Sequence, residues 1–260
     1  MGRKRRTLAI GFAAFATVVF VCLGVWQLQR REWKLDLIAR VDARLAAAPV
    51  AAPGPDGWAG ITADGDAYRR VTATGTYETG HDTLVQAVTE LGPGSWVLTP
   101  LATAEGFTVL VNRGFAPPDR RTPADIAPPE GPVTVTGLLR VTEPGGAFLR
   151  SNDPDAGRWY SRDTAAIATA GGLGVVAPYF IDADADAGAP GEVPVGGLTV
   201  VQFRNSHLVY ALTWFALALT SIAITALGLR RERGPSEAGR SETARSESGR
   251  GDTKRVAVGG

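Results

Sequence analysis

The stretch TLAIGFAAFATVVFVCLGVWQLQ, Thr7–Gln29, contains no Asp, Glu, Lys or Arg. A run of just over 20 such residues is roughly 33 Å long as a helix, enough to cross the hydrocarbon core of a bilayer. The basic residues before it resemble the start of a secretory signal, but the apolar run exceeds the usual h-region of about 7–15 residues. GVWQLQRREW follows it and offers no small-x-small cleavage site. A lipoprotein anchor at Cys22 is disfavoured because Val21 stands where a small residue is expected. A second uncharged stretch, LVYALTWFALALTSIAITALGL, Leu208–Leu229, has the same length and character. The fold class expected from this pair is a membrane protein. Two transmembrane α-helices, residues 7–29 and 207–229, flank a mainly β (α+β) extracytoplasmic domain.

Charge sets the expected orientation. Arg3, Lys4, Arg5 and Arg6 precede the first stretch, and Arg230, Arg231 and Arg233 follow the second. Cytoplasmic ends carry excess Lys and Arg, so residues 1–6 and the tail are expected in the cytoplasm of a plasma-membrane protein. Arg31–His207 holds 14 Lys and Arg against 21 Asp and Glu, a formal charge of −7 that suits an outward domain. Arg30, Arg31 and Lys34 oppose the rule locally, which marks them for a specific task. Cys22 is the lone cysteine, so no intrachain disulfide and no zinc–thiolate site in the outer domain can form.

Working outward, Trp33, Leu37, Val41 and Leu45 recur every four residues and predict a helical extension over 30–48, stopped by Pro49. PVAAPGPDGWAG, 49–60, reads as a linker or loop. The domain over 49–206 has strand patterns at 69–78, 83–88, 95–102, 107–115, 132–141 and 198–203, with β-branched residues alternating between Gly and Pro punctuation. A helix is expected at 162–170 with Asp163 as its N-cap. DADADAGAPGEVPVGG, 182–197, reads as an acidic, turn-rich loop. Residues 230–260, rich in Gly, Ser, Glu and Arg without an aromatic, read as a disordered tail.

Catalytic patterns are absent from the sequence. There is no GxSxG, no glycine-rich phosphate loop with its lysine and no HExxH, so no enzyme is expected. His81 sits beside Gly80 at a turn and reads as a surface residue. The acidic groups around Asp64 and Asp66, and Asp182, Asp184 and Asp186, lack the glutamate of an EF-hand and read as solvated. No nucleic-acid partner is expected; the lipid bilayer is.

The helix mouths carry more. Trp26 and Arg30 are four apart, with Trp33 and Lys34 a turn later; His207, Tyr210 and Trp214 follow at i, i+3 and i+7. Because the chain leaves outward at Gln29 and returns at His207, both clusters are expected at one depth. A haem needs such a set: aromatic walls, cations for its propionates and an imidazole for its iron. The competing reading is an ordinary interfacial belt of aromatics with snorkelling Arg and Lys. Spacing alone leaves both open.

Four segments, in order, resemble one family. LGVWQLQRREWK (Leu23–Lys34) resembles an LGxWQxxRxxWK signature, VLVNRGFAPPDRR (Val109–Arg121) a VNRGWxP segment, SNDPDAGRWYSRD (Ser151–Asp163) an NxPxxNxWYxxD-type segment, and HLVYALTWFALA (His207–Ala218) an HxxYAxTWFxLA span. All are features of the surfeit-locus (Shy-type) cytochrome c oxidase assembly proteins. The resemblance implies an assembly factor for haem-copper oxidases that binds haem a, with His207 as iron ligand; Tyr210, Trp214, Trp26, Arg30 and Lys34, from the spacing at the helix mouths, are the further candidate haem-binding residues. It implies oxidase subunit I and the haem a synthesis machinery as partners. A haem-free chaperone for subunit I is the alternative. Trp33, Asn112, Arg113, Gly114, Trp159 and Tyr160 are the interaction or structural motif residues. Asn112–Gly114 is expected to end a strand at a turn. Trp159–Tyr160 is expected as core packing or a contact surface. Phe115 and Arg158 depart from the family pattern, standing where it has Trp and Asn.

Overall fold

The computed structural model describes residues 3–147, 149–185, 192–199, 201, 203 and 205–233. Its elements run α1 (Arg3–Ala46), β1 (Val50–Ala51), a 3-10 turn (Pro55–Gly60), α2 (Ala63–Asp66), β2 (Arg70–Tyr77), β3 (Thr83–Thr89), β4 (Gly92–Thr103), β5 (Thr108–Ala116), β6 (Pro132–Val141), α3 (Thr164–Gly171), β7 (Val176–Ala183) and α4 (His207–Arg233). The chain divides into two compact units: residues 1–36 with 204–260, and Leu37–Phe203. The tail expected to be disordered, from residue 234 on, lies outside the described residues.

In the first unit, α1 and α4 are both long and apolar enough to cross a bilayer. They run antiparallel along one seam. Thr17 Oγ1 lies 3.1 Å from Ser221 Oγ, and the Phe20 ring stacks on Trp214 with centroids 5.8 Å apart. Gly24 faces Phe215, and Gln27 faces His207. Residues 17, 20, 24 and 27 alternate steps of three and four, the spacing that keeps one helix face on its neighbour. The buried alanines Ala211 and Ala218 continue the seam on α4. The outer faces are apolar and exposed, as at Phe12, Phe15, Val18, Leu212, Leu219 and Ile222; Cys22 is also exposed.

In the second unit, the described strands form a seven-stranded sheet in the order β1-β2-β6-β7-β5-β4-β3, and a further β2–β4 pairing closes β2, β6, β7, β5 and β4 into a five-stranded barrel. Its interior takes alternate residues of each strand: Val71, Ala73 and Tyr77; Leu101; Val109 and Val111; Val135 and Leu139; Ala177, Tyr179 and Ile181. Closure bends β2 and β6 where strands press together. A Cβ at Gly75 would stand 2.2 Å from the Ala102 carbonyl oxygen, and one at Gly137 2.2 Å from that of Asp182, so only glycine fits these corners. Outside the barrel, Val85, Leu98, Leu110, Trp159, Ile167 and Phe180 form a second cluster beneath α3. Asp163 caps α3 as expected, its carboxylate accepting from Ala166 N at 3.1 Å.

Five patterns match strands within a few residues; the sixth does not. Leu198, Thr199, Val201 and Phe203 lie outside any strand, and side chains anchor this segment instead. Thr199 Oγ1 donates to Asp182 at 3.0 Å, and Phe203 meets Tyr68 edge-on at 6.4 Å. The strand that replaces it is β7, VAPYFIDA, disguised in the sequence by Pro178. The β5–β7 ladder shifts register between Thr108 and Leu110, opposite the segment that holds Pro178, so the proline sits in an irregularity rather than a regular ladder.

The 49–60 segment is not a loose linker. It contains β1, and Trp58 packs edge-on against Phe107 at 5.7 Å while its Nε1 donates to the Pro53 carbonyl at 2.9 Å. The reading of Asp182 as a solvated loop residue is also overturned, since it belongs to β7 and is 2% exposed. Asp184 fits that reading: it lies just past β7, outside any strand, with its side chain 40% exposed beside Arg70. Asp186 lies outside the described residues.

Candidate functional site

α4 starts at His207, where the Ser206 carbonyl accepts from Val209 N at 3.1 Å and Tyr210 N at 3.3 Å. The His207 ring is half-buried, and its Nδ1 lies 2.7 Å from Gln27 Oε1 across the seam. No described residue bonds its Nε2. One turn from Gln27 along α1, a methyl group on Gly24 would stand 2.6 Å from the Phe215 ring, so the glycine lets the helices approach. Trp214 lies deeper in the seam against Phe20.

The remaining expected site residues lie around this mouth differently. Trp26 is 53% exposed and Tyr210 57% exposed, so both stand off the seam with aromatic surface uncovered. The Arg30 guanidinium lies 3.9 Å from the Trp33 ring centroid, a cation–π pair that occupies it with Trp33 rather than Trp26. Lys34 is half-buried. The residues that spacing did not single out are Phe20, Gly24 and Gln27. Their common face on α1, and the place of Gly24 and Gln27 as fixed letters of the LGxWQxxRxxWK signature, were the available signals, but a glutamine in an apolar run carries no titratable or metal-binding label. Asn205, two residues before His207, has a buried Oδ1 with no hydrogen-bond partner among the described residues. An unmet buried acceptor costs about 1–3 kcal/mol.

The other motif residues are held inside the barrel domain. Asn112, Arg113 and Gly114 lie within β5 rather than ending it, at a bulge where Val97 pairs with Gly114 and Leu98 with Asn112. Asn112 Nδ2 donates to Asp182 Oδ1 at 2.7 Å, and Gly114 N donates to Asn112 Oδ1 at 3.2 Å. Arg113 donates to the carbonyls of Ile126 at 2.6 Å and Ala127 at 3.0 Å, pinning the loop after β5. Gly114 has φ +135°, and a Cβ there would stand 2.2 Å from the Val195 carbonyl oxygen. Each residue of this motif thus serves barrel construction.

Asp182 is the electrostatic centre of the domain. Besides Asn112 it accepts from Arg140 at 2.8 Å, Arg162 at 3.3 Å and Thr199 at 3.0 Å. Arg162 also forms a two-pronged pair with Glu143, at 3.0 and 2.6 Å. Burial works against the charge on Arg162, but its hydrogen bonds to Glu143 and the charges of Asp182 and Glu143 outweigh it and hold the guanidinium above its ordinary pKa.

Trp159 and Tyr160 divide their roles. Trp159 is a core residue, and its carbonyl accepts from Gln86 N at 2.8 Å, adding a short segment to β3. Tyr160 is half-buried beneath the Arg150 guanidinium, 5.3 Å from the ring centroid. Both line an open groove of about 700 Å³ with Gln86, Ser95, Arg121 and Arg158. Hydrogen bonds from Arg158 and then from Ala156 N hold the Asp153 carboxyl beside this groove below its ordinary pKa. His81 is exposed, as expected. No group of three or more metal-ligating side chains occurs among the described residues.

Comparison with known proteins joins the helix mouth and the barrel into one pattern. The sequence profile of the SURF1 family matches residues 14–219, which include the seam from Thr17 to Gln27, the whole barrel and His207. Surfeit locus protein 1 of Homo sapiens is 35% identical over 218 residues, covering 75% of this chain and 69% of the human one. The protein of that name in Mus musculus is 35% identical over 216 residues, covering 75% and 67%. A SURF1-like protein of Monosiga brevicollis is 34% identical over 219 residues, covering 77% and 80%. With the profile spanning most of the chain and relatives this similar over most of their own length, the chain belongs to the SURF1 family.

Proposed function

We propose that this protein is a membrane-anchored assembly factor for haem-copper cytochrome c oxidase that holds haem a at the outer membrane face for insertion into catalytic subunit I. Membership of the SURF1 family supports the assembly role. Two helices apolar on every side, with basic clusters at their outer chain ends, support two membrane crossings with both termini cytoplasmic and Leu37–Phe203 outside. The partners in this reading are the lipid bilayer, subunit I and the haem a synthesis machinery.

The observation that carries the haem reading is His207, held through Nδ1 at the mouth of the helix pair with Nε2 unbonded among the described residues. The donor set fits the group. A neutral imidazole nitrogen ligates iron, exposed Trp26 and Tyr210 offer aromatic surface, and Arg30 and Lys34 supply cations. When bound, haem a supplies an iron for the imidazole, a flat apolar macrocycle and anionic propionates.

The test is the absorption spectrum of protein purified from cells that make haem a. Wild type is expected to carry a Soret band that His207→Ala loses or shifts. Unchanged haem content and spectrum in His207→Ala would remove His207 as ligand. No Soret band in the wild type would leave a haem-free chaperone docked on subunit I.

A further inference from the structure

We propose that Gln27 is the positioning residue of His207: its side-chain carbonyl accepts Nδ1–H and so holds the ring in the tautomer that presents Nε2 to a metal. A neutral imidazole has one N–H and one lone pair. An acceptor 2.7 Å from Nδ1 places the proton there and leaves the lone pair on Nε2. The opposite tautomer would turn an N–H toward the ligand site and block coordination.

The surroundings make this bond more than incidental. Gln27 is 9% exposed within the uncharged run Thr7–Gln29 of α1, where an unmet amide costs about 1–3 kcal/mol. Its hydrogen bond joins residues 180 apart in the chain, so it forms only when α1 and α4 are docked. Gly24 sets that docking, since any side chain there meets Phe215. Gln27 therefore couples helix packing to the orientation of the ring. Loss of such an outer partner typically lowers metal affinity about 10- to 100-fold. The consequence for haem rests on the reading of His207 as iron ligand; the tautomer does not.

Two measurements on the full chain in detergent separate them. In haem-free protein, 15N NMR of labelled histidine is expected to show His207 protonated at Nδ1, moving toward Nε2 protonation in Gln27→Leu. Haem a titration is then expected to show affinity about 10- to 100-fold lower in Gln27→Leu. Gln27→Glu, which keeps an acceptor at the same reach, should retain affinity within a few-fold and serves if the leucine variant does not fold. A wild-type His207 protonated at Nε2, or a tautomer indifferent to Gln27→Leu, overturns the proposal. So does undiminished affinity in Gln27→Leu when His207→Ala has lost haem. If the tautomer shifts as expected but His207→Ala keeps its haem, the ligand reading fails and the Gln27 bond stands.

Discussion

Gly24 on α1 and Phe215 on α4 occupy the same point of the helix seam, where an added Cβ would stand 2.6 Å from the ring. The atoms it meets belong to the Phe215 ring, and the Phe20–Trp214 stack lies in the same seam. Gly24→Val is expected to push the helices apart, costing about 1–3 kcal/mol by overpacking, and to break the Gln27–His207 bond. Gly24→Val combined with Phe215→Ala should recover part of that loss. The check is a double-mutant cycle of thermal stability in detergent. Strictly additive losses would show that the two residues do not share the space.

Asp182 is expected to be the most costly polar position in the barrel domain. Asp182→Ala leaves Arg140 and Arg162 without their buried partner, a break that costs about 3–5 kcal/mol. Asn112→Ala removes one neutral donor to the same carboxylate and the acceptor of Gly114 N, and should cost less, about 2–3 kcal/mol. Urea denaturation of the two variants orders them; equal midpoints would deny Asp182 its central place.

Gly114→Ala is expected to fail outright, at more than about 4 kcal/mol. It combines a positive φ with a Cβ 2.2 Å from a backbone oxygen that no rotamer can move. Gly106→Ala makes the control, since it also has a positive φ (+86°) but meets nothing within 4 Å. Comparable yields of folded protein from the two variants would contradict the close approach to Val195.

Tyr179 sets an alkaline limit. Its hydroxyl donates to the Pro53 carbonyl at 2.8 Å, and burial pushes the phenol above its ordinary pKa, with Arg69 pulling weakly the other way. The folded chain therefore keeps a proton that the unfolded chain releases above about pH 10. This contribution is complete below that pH and is lost as pH rises through the higher folded value. Tyr179→Phe should lose about 1 kcal/mol at neutral pH with the hydrogen bond, but should decline less steeply above pH 10. Stability curves of the two proteins that stay parallel from pH 7 to 11 would exclude this role.

Much of the architecture was readable in the linear chain because its causes are local. Uncharged runs of helical length, the proline after Ala46, alternating β-branched segments and the aspartate before Thr164 each act over a few residues. β7 escaped because Pro178 interrupts its pattern, and a ladder irregularity that accommodates a proline depends on the partner strand. Asp182 escaped for a related reason. DADADAG has the composition of a solvated loop, and only the approach of Asn112, Arg140, Arg162 and Thr199 makes its first residue a buried charge.

The helix mouth divides in the same way. Residue type and place drew attention to His207, but spacing left a haem site and an interfacial belt both open, and the family resemblance made it the candidate ligand. Gln27 was legible only as a letter of the LGxWQ signature; its partner is an imidazole 180 residues away, which it meets only when the helices dock. Composition and periodicity decided that two apolar helices bracket a β-rich domain, because hydrophobicity and backbone propensity belong to each segment alone. Tertiary structure decided which strands close the barrel, which carboxylate anchors it and which side chain turns the His207 ring, because distances between remote groups exist only in the folded chain.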